Sequence, residues 1–245
     1  MLTEKASEQD DKVAQMLHLY THANFQSRFA LWRQQLRLVL WSLHIQGTRY
    51  LKRLLDLFIL VLALPIVLPV ALLTALAIRL DSPGPAIFRQ IRVGKWGEHF
   101  TCYKFRSMYI DAEERKQELM QENEADGPIF KMQRDPRVTR MGRIIRKTSI
   151  DELPQLINIF KGEMTFVGPR PPLPSEVSEY AYDQRRRLDV VPGLTGLQQV
   201  SGRSDLSFER WVELDLEYIS KQNVWNDILI LLKTVPTVIF GKGAY

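Results

Sequence analysis

The sequence is poor in cysteine and histidine. Its single cysteine, Cys102, excludes an intramolecular disulfide framework and any all-cysteine metal site. With histidines only at 18, 22, 44 and 99, no Cys/His zinc spacing can be written. Neither GxxxxGK[ST] nor GxGxxG occurs, which removes the Walker and dinucleotide-binding fingerprints. No repeat or low-complexity run is present, and 25% charged with 10% aromatic residues excludes a disordered chain. Acidic residues are missing from positions 12–55, where Lys12, Arg28, Arg33, Arg37, Arg49, Lys52 and Arg53 fall. That block leads into a strongly apolar stretch, which points to a membrane surface before it points to nucleic acid. What is present is ample: 245 residues, 45% of them hydrophobic, enough for one generous domain or a domain with an appendage.

Residues 57–78 carry no charge over twenty-two positions. As a straight helix at about 1.5 Å per residue they would reach roughly 33 Å, enough to cross a bilayer core. A late start and an acidic opening (Glu4, Glu8, Asp10, Asp11) argue against a signal peptide. Pro65 and Pro69 lie near the middle. Each removes a backbone donor and clashes with the carbonyl one turn back, so a broken helix is expected. A kinked spanning helix, a re-entrant hairpin within one leaflet and a buried core helix are the three readings. Arg53 and Arg79 bracket the segment and can snorkel to one headgroup layer. Basic residues on both sides give no positive-inside bias. The expectation is the re-entrant form, with the kink at Pro65 and Pro69.

Helical periodicity runs through residues 12–46, with Arg28, Arg33 and Arg37 interleaved among apolar positions. The pattern fits a helix on anionic lipid, and equally a helix packed on the domain or on a second subunit. Asp81-Ser82-Pro83-Gly84-Pro85 then breaks the chain. Strand-like runs at 86–93 and 99–108, joined by Gly94-Lys95-Trp96-Gly97, predict a hairpin. An acidic helical stretch at 111–126 and a basic stretch at 131–147 follow. A helix is expected from Ser149 to about Phe160, and two more near 208–220 and 225–240. Residues 168–203, rich in Gly and Pro, read mostly as loop. The fold class is α+β and mainly helical: a basic extension at 1–47, a membrane-anchoring segment at 48–80, and a loop-rich domain with a small β-hairpin at 81–245.

Lys147-Thr148-Ser149-Ile150-Asp151-Glu152-Leu153-Pro154 is the sharpest local signal. Ser149 with Glu152 three residues on reads as a capping box, which makes both acids ordinary first-turn residues. Arg143, Arg146 and Lys147 open a second reading. A helix start flanked by cations keeps a carboxylate ionised and attracts phosphate. An ionised Asp151 beside phosphate can be a nucleophile, giving an acyl phosphate, or a metal ligand. Gly168-Pro169-Arg170-Pro171-Pro172 stiffens its backbone and presents Arg170 to phosphate at low entropic cost. In residues 192–203, Gly193, Gly196 and Gly202 offer a ligand close backbone approach, and Arg203 adds a phosphate fork.

Taken in order, these segments closely resemble the bacterial sugar transferases, the monotopic phosphoglycosyl transferases. The resemblance rests on Lys52-Arg53-x-x-Asp56, the apolar segment with Pro69, Tyr103-Lys104-Phe105-Arg106-Ser107-Met108, Asp151-Glu152-Leu153-Pro154-Gln155, Phe166-Val167-Gly168-Pro169-Arg170-Pro171 and residues 192–203. It covers residues 48–245. It implies a phosphoglycosyl transferase that moves a sugar-1-phosphate from a UDP-sugar to undecaprenyl phosphate, releases UMP, and initiates exopolysaccharide, capsule or O-antigen synthesis. Carried over by motif, Asp151 is the nucleophile and a ligand of an assisting Mg²⁺, Glu152 its partner, Lys104 an active-site cation and Asp215 a further acid. Arg170 and Arg203 are implied as phosphate ligands, with Arg146, Pro169 and Pro171 beside them. The same resemblance implies a re-entrant helix and a monotopic seat on the inner (cytoplasmic) membrane, the catalytic domain facing the cytoplasm. Leu68 stands where some members have Ser before the proline, so Pro65 takes over from a hydroxyl-assisted kink.

Trp225-Asn226-Asp227 and Gly243-Ala244-Tyr245 are similar to the hexose-using members and point to UDP-galactose or UDP-glucose. A UDP-N-acetylhexosamine or di-N-acetyl sugar is the alternative. Expected partners are the UDP-sugar, undecaprenyl phosphate and membrane lipid, without nucleic acid and with room for a homodimer. The rivals are a lipid-phosphate hydrolase, which would release no UMP, and a non-enzymatic membrane scaffold. Against the scaffold, the basic residues do not form one stripe.

Overall fold

The computed structural model describes residues 50–120, 134–202 and 206–240, and positions 32, 33, 35, 47, 123, 124, 128, 130 and 132. The chain divides into two units, Met1–Tyr50 and Leu51–Tyr245. The amphipathic pattern at 12–46 lies almost wholly outside the described residues, and Arg203 lies outside them too.

The second unit begins in helix α1 (Tyr50–Asp81). Then come β1 (Ile87–Val93), β2 (His99–Phe105), α2 (Ala112–Glu118), α3 (Arg140–Lys147) and α4 (Leu156–Lys161). β3 (Thr165–Val167), α5 (Pro174–Ser178), β4 (Gly193–Thr195), α6 (Leu197–Ser201), α7 (Phe208–Ser220) and α8 (Val224–Phe240) complete it. Two short 3-10 helices, Ile150–Gln155 and Gln184–Asp189, matter below.

The helix is not interrupted at Pro65 or Pro69: α1 is helical throughout its 32 residues. The spacing of the prolines explains this. Pro65 and Pro69 are four apart, so both missing N–H bonds fall in one column of the helical ladder. Both prolines are exposed, and the columns facing the domain stay intact. Asp56, Leu60, Thr74 and Ile78 are buried on that domain face. Leu54, Phe58, Leu62, Leu72, Leu76 and Leu80 line an exposed apolar face opposite.

The ionic residues at the start of α1 fasten it. Arg53 donates to the Ile159 and Phe160 carbonyls at 2.5 and 2.7 Å in the last turn of α4, the first of which also accepts from the Gly162 N–H. Asp56 accepts from the Thr165 hydroxyl at 2.7 Å and the Phe166 N–H at 3.1 Å. Lys52 donates to the Val167 carbonyl at 2.8 Å and to Asp227, in the first turn of α8, at 2.5 Å. Further along, Leu60 enters the larger core with Phe100, Cys102, Ile159, Tyr218 and Ile230. Ile78 enters a smaller one with Ala86, Phe105 and Ile145.

The hairpin forms as expected, β1 and β2 pairing antiparallel from Ile87 opposite Phe105 to Val93 opposite His99. β2 ends at Phe105, short of the predicted 108, and Met108 bridges Val138 instead. The acidic helix forms as α2, and most of positions 121–126 lie outside the described residues. Helices α7 and α8 lie where the periodicity placed them. Ser207 caps α7, its hydroxyl accepting from the Arg210 N–H. Residues 168–202 carry more regular structure than a loop reading allows. β4 pairs parallel with β3, and α5, a 3-10 helix and α6 occupy much of the rest.

Candidate active site

The capping box at Ser149 does not form. Ser149 adopts the left-handed conformation (φ 55°, ψ 16°) and makes no side-chain capping bond. A non-glycine residue in that region costs roughly 1 kcal/mol, and such strain gathers at functional turns. The chain leaves α3 sharply into the 3-10 helix Ile150–Gln155, which contains Pro154 and packs against β2; α4 starts only at Leu156. Glu152 is therefore not folded back on Ser149 as an ordinary cap. Its carboxylate accepts from the Lys104 ammonium of β2 at 2.7 Å, which brings two predicted site residues 48 positions apart into contact.

Asp151 is half-buried beside them. Burial is the largest influence on its carboxyl and pushes the pKa up to about 6; Lys104 and Arg146 oppose the rise, and the charge on Glu152 adds to it. Arg146, on α3, donates through Nε to the Ser107 hydroxyl at 2.9 Å. One carboxylate thus faces two cations in a partly desolvated niche.

Arg170 has no hydrogen-bond or ion-pair partner among the described residues, and its guanidinium lies 5.2 Å from the Trp211 ring. Pro169 and Pro171 supply backbone anchors rather than ligands. The Pro169 carbonyl accepts from Gly193 N–H at 2.8 Å, and the Pro171 carbonyl from Arg92 at 3.0 Å. Arg92 is a cation the motifs passed over. It is buried on β1, and among the described residues it meets no carboxylate within ion-pair distance, only Pro171 and the Gln90 side chain. Burial, and next the charge of Arg170, lower its pKa to about 10, so it stays charged at neutral pH. Nothing in the sequence pattern separates it from the exposed Arg89.

Asp215, expected as a further acid of the site, is committed elsewhere. One of its oxygens receives both Nε and Nη2 of Arg187, at 2.8 and 2.7 Å, and both side chains are buried. The glycines also differ from expectation. A Cβ on Gly193 would stand 2.1 Å from the Gly168 nitrogen, and one on Gly196 2.4 Å from the Gly168 carbonyl oxygen. Gly168, Gly193 and Gly196 thus let two backbone segments touch, rather than leaving space for a ligand. Their contact fixes the loop that carries Pro169 and Arg170.

Among the described residues no three His, Cys, Asp or Glu side chains gather to enclose a metal. The adjacent carboxylates of Asp151 and Glu152 suit a Mg²⁺ ion, which takes one or two carboxylates and completes its shell with water and substrate phosphate.

The sequence model of the bacterial sugar transferases matches residues 47–241. The chain is 48% identical over 194 residues to the galactosyl transferase CpsE of Streptococcus agalactiae. It is 43% identical over 208 residues to the undecaprenyl-phosphate galactose phosphotransferase of Salmonella typhimurium. Those matches take in 79% and 82% of this chain but 43% of each relative, so the chain spans less than half the length of either. The UDP-glucose:undecaprenyl-phosphate glucose-1-phosphate transferase of Caulobacter vibrioides is 40% identical over 205 residues, 79% of this chain and 72% of that one. With Asp151, Glu152, Lys104 and Arg146 all inside the matched region, the chain belongs to the bacterial sugar transferase family.

Proposed function

We propose that this protein transfers a hexose-1-phosphate from UDP-galactose or UDP-glucose to undecaprenyl phosphate, releasing UMP, by way of a phospho-aspartate at Asp151. The observation that carries the reading is the half-buried Asp151 carboxylate with Lys104 and Arg146 close enough to act on its charge. An Asp151 oxygen attacks the phosphorus next to the sugar. The bond from that phosphorus to the bridging oxygen breaks, and UMP leaves with the bridging oxygen. An oxygen of the lipid phosphate then attacks the same phosphorus, the acyl-phosphate bond breaks, and the Asp151 carboxylate is regenerated. Lys104, Arg146 and Arg170 meet negative charge in both steps, and phosphoryl transfer asks chiefly for positioning and charge neutralisation. A Mg²⁺ ion held by Asp151 and Glu152 would add to that neutralisation. The galactose and glucose in the relatives' names favour a hexose donor over the N-acetylated alternative.

The exposed face of α1 supports a monotopic seat in the inner membrane, both helix ends on the cytoplasmic side with the catalytic domain. Leu60 and Ile78, 18 residues and so about 27 Å apart along the helix, sit in two cores of the same domain. A crossing helix would pull one of them out. Each large apolar side chain of the outer face that enters lipid contributes about 1.5–3 kcal/mol.

The test is UMP release by the purified chain in detergent across a panel of UDP-sugars, with and without undecaprenyl phosphate. UDP-galactose or UDP-glucose should give UMP, and withholding the lipid should leave a sugar-phosphate adduct on Asp151 detectable by mass spectrometry. Release of inorganic phosphate from the lipid without UMP would replace the transferase with a hydrolase. Cysteine labelling at Thr48 and at the exposed Pro83 from opposite membrane faces, after replacement of Cys102, would overturn the monotopic seat.

A further inference from the structure

We propose that Trp211, held by the Arg187–Asp215 pair, is the positioning residue that aims Arg170 at the donor's phosphates. The inference rests on the phosphate-binding role read for Arg170 above.

Among the described residues no carboxylate or carbonyl holds Arg170. Its guanidinium lies 5.2 Å from the Trp211 ring, and the Arg187 guanidinium lies 6.0 Å from the same ring. Two bare cations around one indole would repel each other. Asp215 removes that conflict, neutralising Arg187 through two contacts of 2.8 and 2.7 Å in a buried setting. The remaining arm of Arg187 donates to the Tyr180 hydroxyl at 2.6 Å, and its guanidinium stands 5.4 Å from the Tyr180 ring. Tyr180 in turn meets Phe208, with ring centroids 5.8 Å apart. Phe208, Trp211, Val212 and Asp215 follow the i, i+3, i+4, i+7 spacing and so share one face of α7. The indole N–H is buried without an acceptor among the described residues, so the ring is oriented by what lies against its faces.

A chemical advantage follows. A carboxylate placed directly on Arg170 would orient it but cancel its charge, and each incoming diphosphate would have to displace that acid. An aromatic face orients a guanidinium and leaves its donors and charge available. Asp215 therefore makes its hydrogen bonds one layer back, to Arg187, and acts on Arg170 only through charge and through the indole that Arg187 braces.

The test is a double-mutant cycle on the full chain in detergent, reading KM for the UDP-sugar and kcat from UMP release. Arg170→Ala and Trp211→Leu should each raise KM about tenfold, more than they lower kcat. The double variant should do no worse than Arg170→Ala, because Trp211 acts only through that arginine. Trp211→Tyr, which retains an aromatic face, should recover part of the loss. Additive losses, or no recovery with Tyr at an equal melting temperature, overturn the proposal. An unchanged KM in Arg170→Ala instead removes the phosphate-binding role of Arg170, and the brace with it. If Trp211→Leu does not fold, Trp211→Met, longer, more adaptable and without a π face, takes its place in the cycle.

Discussion

Two carboxylate–cation pairs of equal length do different work in this domain. Lys104 meets Glu152 and Arg187 meets Asp215 at 2.7 Å in both cases. The side chains of the first pair are 22% and 35% exposed, those of the second 4% and 1%. In the open pair, water screens the attraction, the stabilisation stays under about 1 kcal/mol, and both ions remain within reach of a ligand. In the sealed pair neither charge can stand alone, and losing one partner strands the other at about 3–5 kcal/mol. Solvent, not distance, separates a site from a strut.

The open side should break most completely at the proposed nucleophile. Asp151→Asn keeps the shape of the side chain and should lower UMP release by at least roughly 10³-fold, with a melting temperature no lower than that of the unmodified protein. The sealed side should show the opposite balance. Asp215→Asn is expected to cost about 3–5 kcal/mol, a fall in Tm of roughly 10 °C, whereas Glu152→Gln should barely move the melt. Equal falls in the two melts would erase the distinction. Between these lies the backbone contact that carries Arg170. Gly193→Ala forces a methyl against Gly168 and should cost about 1–3 kcal/mol in a denaturant titration, with a matching rise in donor KM.

The smallest effect is in pH. With its pKa raised to about 6, Asp151 is protonated on the acid side, so kcat/KM should climb with pH through a midpoint near 6. Lys104→Met removes a charge that lowers this pKa and should move the midpoint up. Glu152→Gln removes one that raises it and should move the midpoint down, each by about one pH unit or less. The sign for stability runs the other way. The protonated form is favoured by folding, so its contribution is full below the ordinary carboxylate range and is lost as pH rises through about 6.

The hairpin, α7 and α8 were legible because each follows from local periodicity and turn residues. The motifs likewise pointed to Asp151, Glu152, Lys104, Arg146 and Arg170. Local rules failed where a distant contact outweighed them. Ser149-x-x-Glu152 is a sound capping pattern, yet packing on β2 and the pull of Lys104 gave Glu152 another partner. Glycines at 168, 193 and 196 look the same in sequence whether a ligand or a second backbone approaches them. Asp215 could not be matched to Arg187, 28 positions away, because a sequence does not say which acid meets which base. The buried Arg92 was hidden for the same reason.

The packing of α1 sets an order of events during synthesis. Leu60 shares a core with Ile230, made some 170 residues later (60 to 230). At about 5–20 residues per second the ribosome needs on the order of ten to thirty seconds to deliver it. For that interval the core around Leu60 lacks its last members, and water would leave the apolar helix open to aggregation with other nascent chains. Lipid can hold it through the outer row of leucines while the inner row waits. The bilayer then serves this chain as a chaperone before it serves as a place of work, and synthesis far from a membrane should yield aggregates even when every catalytic residue is intact.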